Sequence, residues 1–245
     1  MGQRGLIGLL FASAFAVASC GSLEPSALAP GGTLPPSAGD INTINDSAVA
    51  GDVADRVADN TTRCIVRLHG KGSSGGATSS DGDGVLIVRP TGNEDGWGGR
   101  QWMYFPESRW AEARDVVSSA LVANGCGQAV INGFSNGAAF AASLFCSGET
   151  FNDVVKGYVI DDPVTDTATD DCAPAPGVDV VVYWTTAIAQ QPGTDCATID
   201  WTCAGGTTID VATYADNLGT TVTPSPFTDH KWYRDAPEIT TFLNA

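Results

Sequence analysis

The sequence predicts an α/β protein built on a mostly parallel central sheet with helices on both faces. Three observations carry this expectation. Strand-like apolar runs alternate with helical patterns from Arg63 to the C-terminus, the order that right-handed crossovers of a parallel sheet require. Two of the runs, Val154 to Ile160 and Val178 to Trp184, are too continuously apolar for a sheet with one face in water. The third observation is a junction: Val130-Ile131-Asn132 runs into Gly133-Phe134-Ser135-Asn136-Gly137 and then, without a break, into Ala138-Ala139-Phe140-Ala141-Ala142. Apolar strand, glycine-serine turn and strong helix formers follow one another directly.

The elements follow in order. Cys64 to Leu68 reads as a strand leading into His69-Gly70-Lys71-Gly72-Ser73-Ser74-Gly75-Gly76, and Val85 to Val88 as a second strand ended by Pro90. Between Glu107 and Asn124 the apolar residues Trp110, Ala113, Val116, Val117, Ala120 and Leu121 fall at helical spacing, and Gly125 stops the helix. Ala129 to Asn132 is the strand before the turn. After the two continuous apolar strands come a helical pattern from Thr207 to Leu218, a strand-like Thr220 to Thr223 and a terminal helix from Pro237 to Leu243. With the strands parallel, a site belongs at their carboxyl ends.

The glycine-serine turn carries chemistry. A serine held between strand and helix in a strained backbone conformation has its hydroxyl lifted above the sheet edge, and a Cβ at either flanking glycine would collide with the neighbouring elements. The helix behind it aims its N-terminal amides at the same spot, so the Asn136 N–H is an oxyanion donor for attack by Ser135 on a carbonyl.

Ahead of the domain, residues 1–19 carry Arg4, an apolar run from Leu6 to Val17 and the small-residue stretch Val17-Ala18-Ser19 before Cys20. This resembles a bacterial lipoprotein signal, which implies cleavage before Cys20, acylation of its thiol, export, and a membrane tie through the lipid alone. Residues 20–46, rich in Pro, Gly, Ser and Ala, read as a flexible tether. Residues 47–245 make one domain, its first 14 residues, Ser47 to Asn60, having Val49, Val53 and Val57 on one helical face. The formal charge of −16 becomes −17 once Arg4 is lost. Such a surface repels nucleic acids and anionic polymers and favours a neutral or weakly polar substrate. Six cysteines remain after Cys20, an even number that in an exported chain reads as disulfides, and no Cys-x-x-Cys or paired histidines suggest a metal. Neither cofactor nor obligate partner is called for, and a monomer is expected.

From about Arg63 to Ala245 the chain resembles the α/β-hydrolase family in a compact form, without the antiparallel hairpin that usually opens the family's sheet. Gly133-Phe134-Ser135-Asn136-Gly137 with Cys146 eleven residues past the serine looks like polyhydroxybutyrate depolymerases and feruloyl esterases. The cysteine frame, ending in Cys196-x-x-x-Asp200-x-x-Cys203-x-Gly205-Gly206, looks like cutinases. The resemblance implies disulfides 64/126, 146/172 and 196/203, and a serine ester hydrolase working through a Ser-His-Asp triad. The family order Ser, acid, His assigns the base to His230. His69-Gly70 resembles the oxyanion loop, so Lys71 would donate its main-chain N–H while the His69 ring braces the loop.

The acid stays open between two residues. Aligning the Val178–Trp184 strand with the family's acid-bearing strand puts Ile188 where an aspartate is expected. Asp200, inside the Cys196/Cys203 bracket, is preferred; Asp162, in Ile160-Asp161-Asp162-Pro163, is its rival because some family members carry the acid after this earlier strand, and Asp195 ranks third. Trp97, Trp102 and Tyr104 crowd the loop after the second strand and either line a pocket or bury under the Glu107 helix, while Trp232 offers an opposite wall. The missing acid at the usual strand end motivates a second reading, a catalytically idle hydrolase fold with a binding or structural role.

Overall fold

Alternation along the strands sorts the apolar side chains to two faces. On β1 (Arg63–Leu68) Cys64, Val66 and Leu68 join one buried cluster and Ile65 the other. On β6 (Gln128–Phe134) Ala129 and Ile131 go one way and Val130 the other. Each face therefore needs a cover, and helices supply both. These relations come from a computed structural model that describes residues 62–185, 191–199 and 203–245. The leader, the tether, the Ser47–Asn60 helix, Ile188 and Asp200 lie outside the described residues.

The remaining strands are β2 (Gly76–Ser80), β3 (Leu86–Arg89), β4 (Glu94–Gly96), β5 (Gly99–Gln101), β7 (Val155–Asp161), β8 (Asp179–Trp184) and β9 (Val222–Pro224). The helices are α1 (Glu107–Ala123), α2 (Asn136–Cys146), α3 (Val211–Asn217) and α4 (Pro237–Phe242). Seven strands form one sheet in the order β2-β3-β1-β6-β7-β8-β9, and every neighbouring pair except β2–β3 is parallel. Buried residues of α1, α2 and α3 pack on the face bearing Val66 and Ile131, while Ile239 and Phe242 of α4 cover the face bearing Ile65, Val130 and Val159. A central strand, a serine turn and a helix, flanked by further parallel strands, make the compact, mostly parallel α/β arrangement that the sequence predicts.

One sequence expectation is corrected here, and two small hairpins went unread. β2 pairs antiparallel with β3 at one edge of the sheet, after β1 in chain order. The Gly76–Ser80 segment is exposed throughout, so it has no apolar period by which to read it. The small β4–β5 hairpin, containing Gly96 and Gly99, was likewise illegible. The Thr207–Leu218 helix is shorter than its pattern: Asp210 caps α3 by accepting the Thr213 N–H at 2.9 Å, and Thr207 and Thr208 instead bridge to Asp195 and Asp166.

Disulfides join Cys64 to Cys126, Cys146 to Cys172, and Cys196 to Cys203, the pairs that the resemblance implied. The first ties the leading ends of two neighbouring strands. Three such bonds suit an oxidising compartment. Among the described residues no helix is long and apolar enough to cross a membrane.

Candidate active site

The serine turn has the strain its sequence foretold. Ser135 sits at φ 54°, ψ −118°, between the end of β6 and the start of α2. A Cβ on Gly133 would lie 2.4 Å from the Gly137 carbonyl oxygen, and one on Gly137 would lie 2.2 Å from that of Leu68 and 2.6 Å from that of His69. These are distances that real Cβ atoms do not adopt, so only glycine lets α2 start this close to the end of β1. Asn136 is buried, and its side-chain amide accepts from the Trp102 N–H at 2.7 Å and donates to the Trp102 carbonyl at 3.1 Å, fixing the helix start to the preceding loop.

Beside this turn lies a histidine–aspartate pair. Asp162, the residue just past β7, is wholly buried and adopts φ 52°. Its Oδ2 lies 2.7 Å from His230 Nδ1 and accepts the Thr185 hydroxyl at 2.6 Å, while Oδ1 accepts the Thr185 N–H at 3.1 Å. An ionised carboxylate against Nδ1 holds the ring proton there and leaves Nε2 as the basic nitrogen. Register brings the pair to the serine: β6 and β7 are parallel neighbours with Phe134 opposite Asp161, and the Ser135 N–H donates to the Asp161 carbonyl at 3.0 Å. Phe134 lays its ring on that of His230 at 4.4 Å between centroids and on that of Trp232 at 5.7 Å. Neither the Ser135 hydroxyl nor His230 Nε2 makes a hydrogen bond to a described residue.

The chain carrying His230 is pinned at two further points. The Tyr233 N–H donates to Asp161 Oδ2, and the Trp232 ring N–H donates to Asn132 Oδ1. Asp161 is buried and its Oδ1 has no partner among the described residues. Burial raises its pKa to about 7; the Tyr233 N–H pulls the other way, the Asp162 charge raises it further and His230 lowers it. These anchors escaped sequence reading, although Asn132 left a signal as a polar residue inside an apolar strand. Thr185 left none, since a threonine after a strand is ordinary.

His69 is buried too. Its Nε2 accepts the Gly92 N–H at 2.9 Å, so the proton is on Nδ1, which lies 2.9 Å from the Gly70 carbonyl. Burial pushes its pKa down, a nearby Arg100 adds to this, and the Gly70 carbonyl opposes it. A neutral ring bonded at both ends is a brace between two loops. Gly70 sits against the serine turn: a Cβ there would be 3.1 Å from Ser135 Cβ. The Lys71 ammonium lies 4.5 Å over the ring of Trp97.

Of the four aromatic candidates for a pocket wall, two are corrected. Trp102 and Tyr104 are buried and stack on Phe140 at 5.1 and 5.3 Å between centroids. They belong to the core because α2 delivers Phe140 beneath their loop. Trp97 is 56% exposed. Trp232 borders two clefts, of about 90 and 390 Å³. Among the described residues, a group of metal-type ligands occurs at Asp166, Cys196 and Cys203, but both sulfurs are in a disulfide and offer no thiolate. Asp195 caps a short helical turn, accepting the Ala197 N–H at 2.9 Å.

Comparison with known proteins gives solved structures only. A carboxylesterase from Bacillus cereus is 16% identical with TM-score 0.42, covering 76% of this chain and 88% of its own. A carboxylesterase from Mesorhizobium loti is 16% identical with TM-score 0.43, covering 74% and 87%. A protein of unknown function from Agrobacterium tumefaciens is 15% identical with TM-score 0.46, covering 75% and 89%. No family model and no curated protein matches the chain.

Proposed function

We propose that the protein hydrolyses carboxylic esters, with Ser135 as nucleophile, His230 as general base and Asp162 as the acid that orients it. The supporting observation is the buried Asp162 carboxylate on His230 Nδ1, next to a serine held at positive φ. His230 Nε2 takes the Ser135 proton as the oxygen attacks the ester carbonyl. The oxyanion accepts from the main-chain amides of Asn136 and Lys71. The imidazolium, its charge balanced by Asp162, then protonates the departing alcohol. Water, deprotonated by the same nitrogen, attacks the acyl-enzyme and frees the acid and Ser135. Hydrogen bonds between nucleophile and base commonly tighten only with substrate present.

The idle-fold reading rested on a missing acid after β8; an acid after β7 removes its motive, and Asp200 becomes a bystander in this scheme. A labelled fluorophosphonate tests the proposal, because only an activated serine reacts. The expected result is a single adduct on Ser135, absent in Ser135→Ala and strongly reduced in His230→Ala. Folded protein that takes no label while a known esterase does would overturn it. We further infer export and tethering through an acylated Cys20. Mature protein should then partition into detergent, and Cys20→Ser should abolish this; wholly aqueous wild-type protein would contradict it.

A further inference from the structure

Against a formal charge of −16, one cleft is lined by three arginines and by no carboxylate. It measures about 90 Å³, and its walls include Arg67, Arg89, Arg234, Ser73, Ser74 and His69. The arginines arrive from three places. Arg67 is near the carboxyl end of β1, Arg89 ends the adjacent β3, and Arg234 follows His230 on the segment pinned to β6 and β7. Their convergence is a product of the tertiary fold.

Arg67 is the anomalous member. Its side chain is only 10% exposed. Its Nη2 makes two long contacts, 3.3 Å to the Arg234 carbonyl and 3.4 Å to Asp235 Oδ1, and its Nε has no partner among the described residues. The Asp235 side chain is 92% exposed and faces solvent, so it offsets only part of the charge. Burial lowers the Arg67 pKa, Asp235 opposes this, and Arg89 and Arg234 add to the lowering. A buried guanidinium with two like charges nearby is costly unless an anion joins it. Arg89 is partly engaged, donating to the Ala77 carbonyl at 2.9 Å and the Ser79 hydroxyl at 3.0 Å, and Arg234 lies 5.0 Å over the ring of Trp232.

Two residues of the cleft's wall lead to the serine turn. His69 on its wall precedes Gly70, which abuts Ser135, and Trp232 on its wall stacks on Phe134. We propose that this cleft is a subsite for a compact oxyanion, a carboxylate or phosphate group, carried by the ester that Ser135 attacks. The attack rests on the esterase reading; the anion binding does not. Planar guanidinium groups match such oxyanions with paired hydrogen bonds. The acidic surface does not forbid this, because charges beyond roughly 8–10 Å are screened at physiological salt while the arginines act in contact. This proposal departs from the neutral substrate expected from net charge.

The test pairs esters that differ in one charge: 4-nitrophenyl hydrogen glutarate against 4-nitrophenyl pentanoate for the acyl side, and 4-acetoxybenzoate against 4-acetoxybenzamide for the alcohol side. In at least one pair the anionic ester should be preferred by about tenfold or more in kcat/KM. Arg67→Gln should remove about tenfold or more of that preference through KM and leave the neutral esters within about twofold. Arg234→Gln, at an exposed position, should shift the same ratio less, which separates subsite loss from misfolding. Preference for the neutral ester in both pairs, or an equal fall for both members in the variants, overturns the proposal. If wild-type protein cleaves no ester and takes no fluorophosphonate label, the esterase reading fails separately. Calorimetric titration with free glutarate and inorganic phosphate then decides: binding lost in Arg67→Gln upholds the subsite and tells carboxylate from phosphate, and no binding of either removes it.

Discussion

Asp162 combines three costs at one residue: a charge with no solvent contact, a positive φ, and a following proline that disfavours most backbone conformations. Three hydrogen bonds from Thr185 and His230 answer the first of these. In the proposed triad the two reacting groups act as one unit. Ser135→Ala and His230→Ala should therefore each lower turnover of an activated ester by roughly a thousandfold or more, with the double variant little worse. Asp162→Asn should be comparably severe, because it misorients the imidazole and leaves its cation unsupported, whereas Asp200→Asn should stay within about threefold of wild type. Reversed severities, with melting temperatures showing both variants folded, would return the acid to the Cys196/Cys203 loop. Thr185→Val deletes one donor to the carboxylate and should cost about tenfold in kcat, on the order of 1.4 kcal/mol, with KM little changed.

At the level of elements, the approach of α2 to β1 is what places Ser135. Gly137→Ala forces its Cβ toward two carbonyl oxygens of residues 68 and 69, so the helix must retreat and carry the Asn136 amide with it. Activity should be lost and stability should fall by about 2–4 kcal/mol, read from a urea midpoint. An active, equally stable variant would mean that the turn relaxes elsewhere. The disulfides give a graded comparison. Their sequence separations are 62, 26 and 7 residues, and loop-closure entropy scales with the logarithm of loop length. Paired Cys→Ala removal should destabilise in that order, the extremes differing by on the order of 2 kcal/mol. The opposite order would point to packing around Cys196 as the larger contribution.

For the molecule as a whole, two buried aspartates set a pH dependence. Burial raises Asp161 to about 7 and Asp166 to about 6, against 3.8 for the ordinary side chain. Asp166 is lowered in part by the N–H groups of Ala204 and Ala168, which it accepts at 2.6 and 3.0 Å. Between pH 4 and 7 the folded chain thus binds protons that the unfolded chain has released, and stability falls as pH rises through this range. The melting temperature should be higher at pH 5 than at pH 8. Asp161→Asn, which mimics the protonated side chain, should shrink that difference, and a profile indifferent to this substitution would show that Asp161 is ionised throughout. The high negative charge of the surface acts in the same direction, since acid relieves self-repulsion, so the variant is the diagnostic arm.

Local patterns were enough for the α/β class, for the strand–serine–helix junction and for most elements, because burial on alternate faces and helical spacing are written residue by residue. Cys64 and Cys126 could be matched only through the resemblance, whose strand order sets their two strands side by side. The His230–Asp162 pair, the cleft and the aromatic walls were not legible in that way. That pair reaches the serine turn because β7 lies beside β6, and the pairing of Phe134 with Asp161 joins residues 27 positions apart. Whether Trp102 faces substrate or core depends on where α2 delivers Phe140. Net charge is a sum over the chain, whereas the field a substrate meets is local. Only the packing of β1, β3 and the segment after His230 brings Arg67, Arg89 and Arg234 together in an acidic protein.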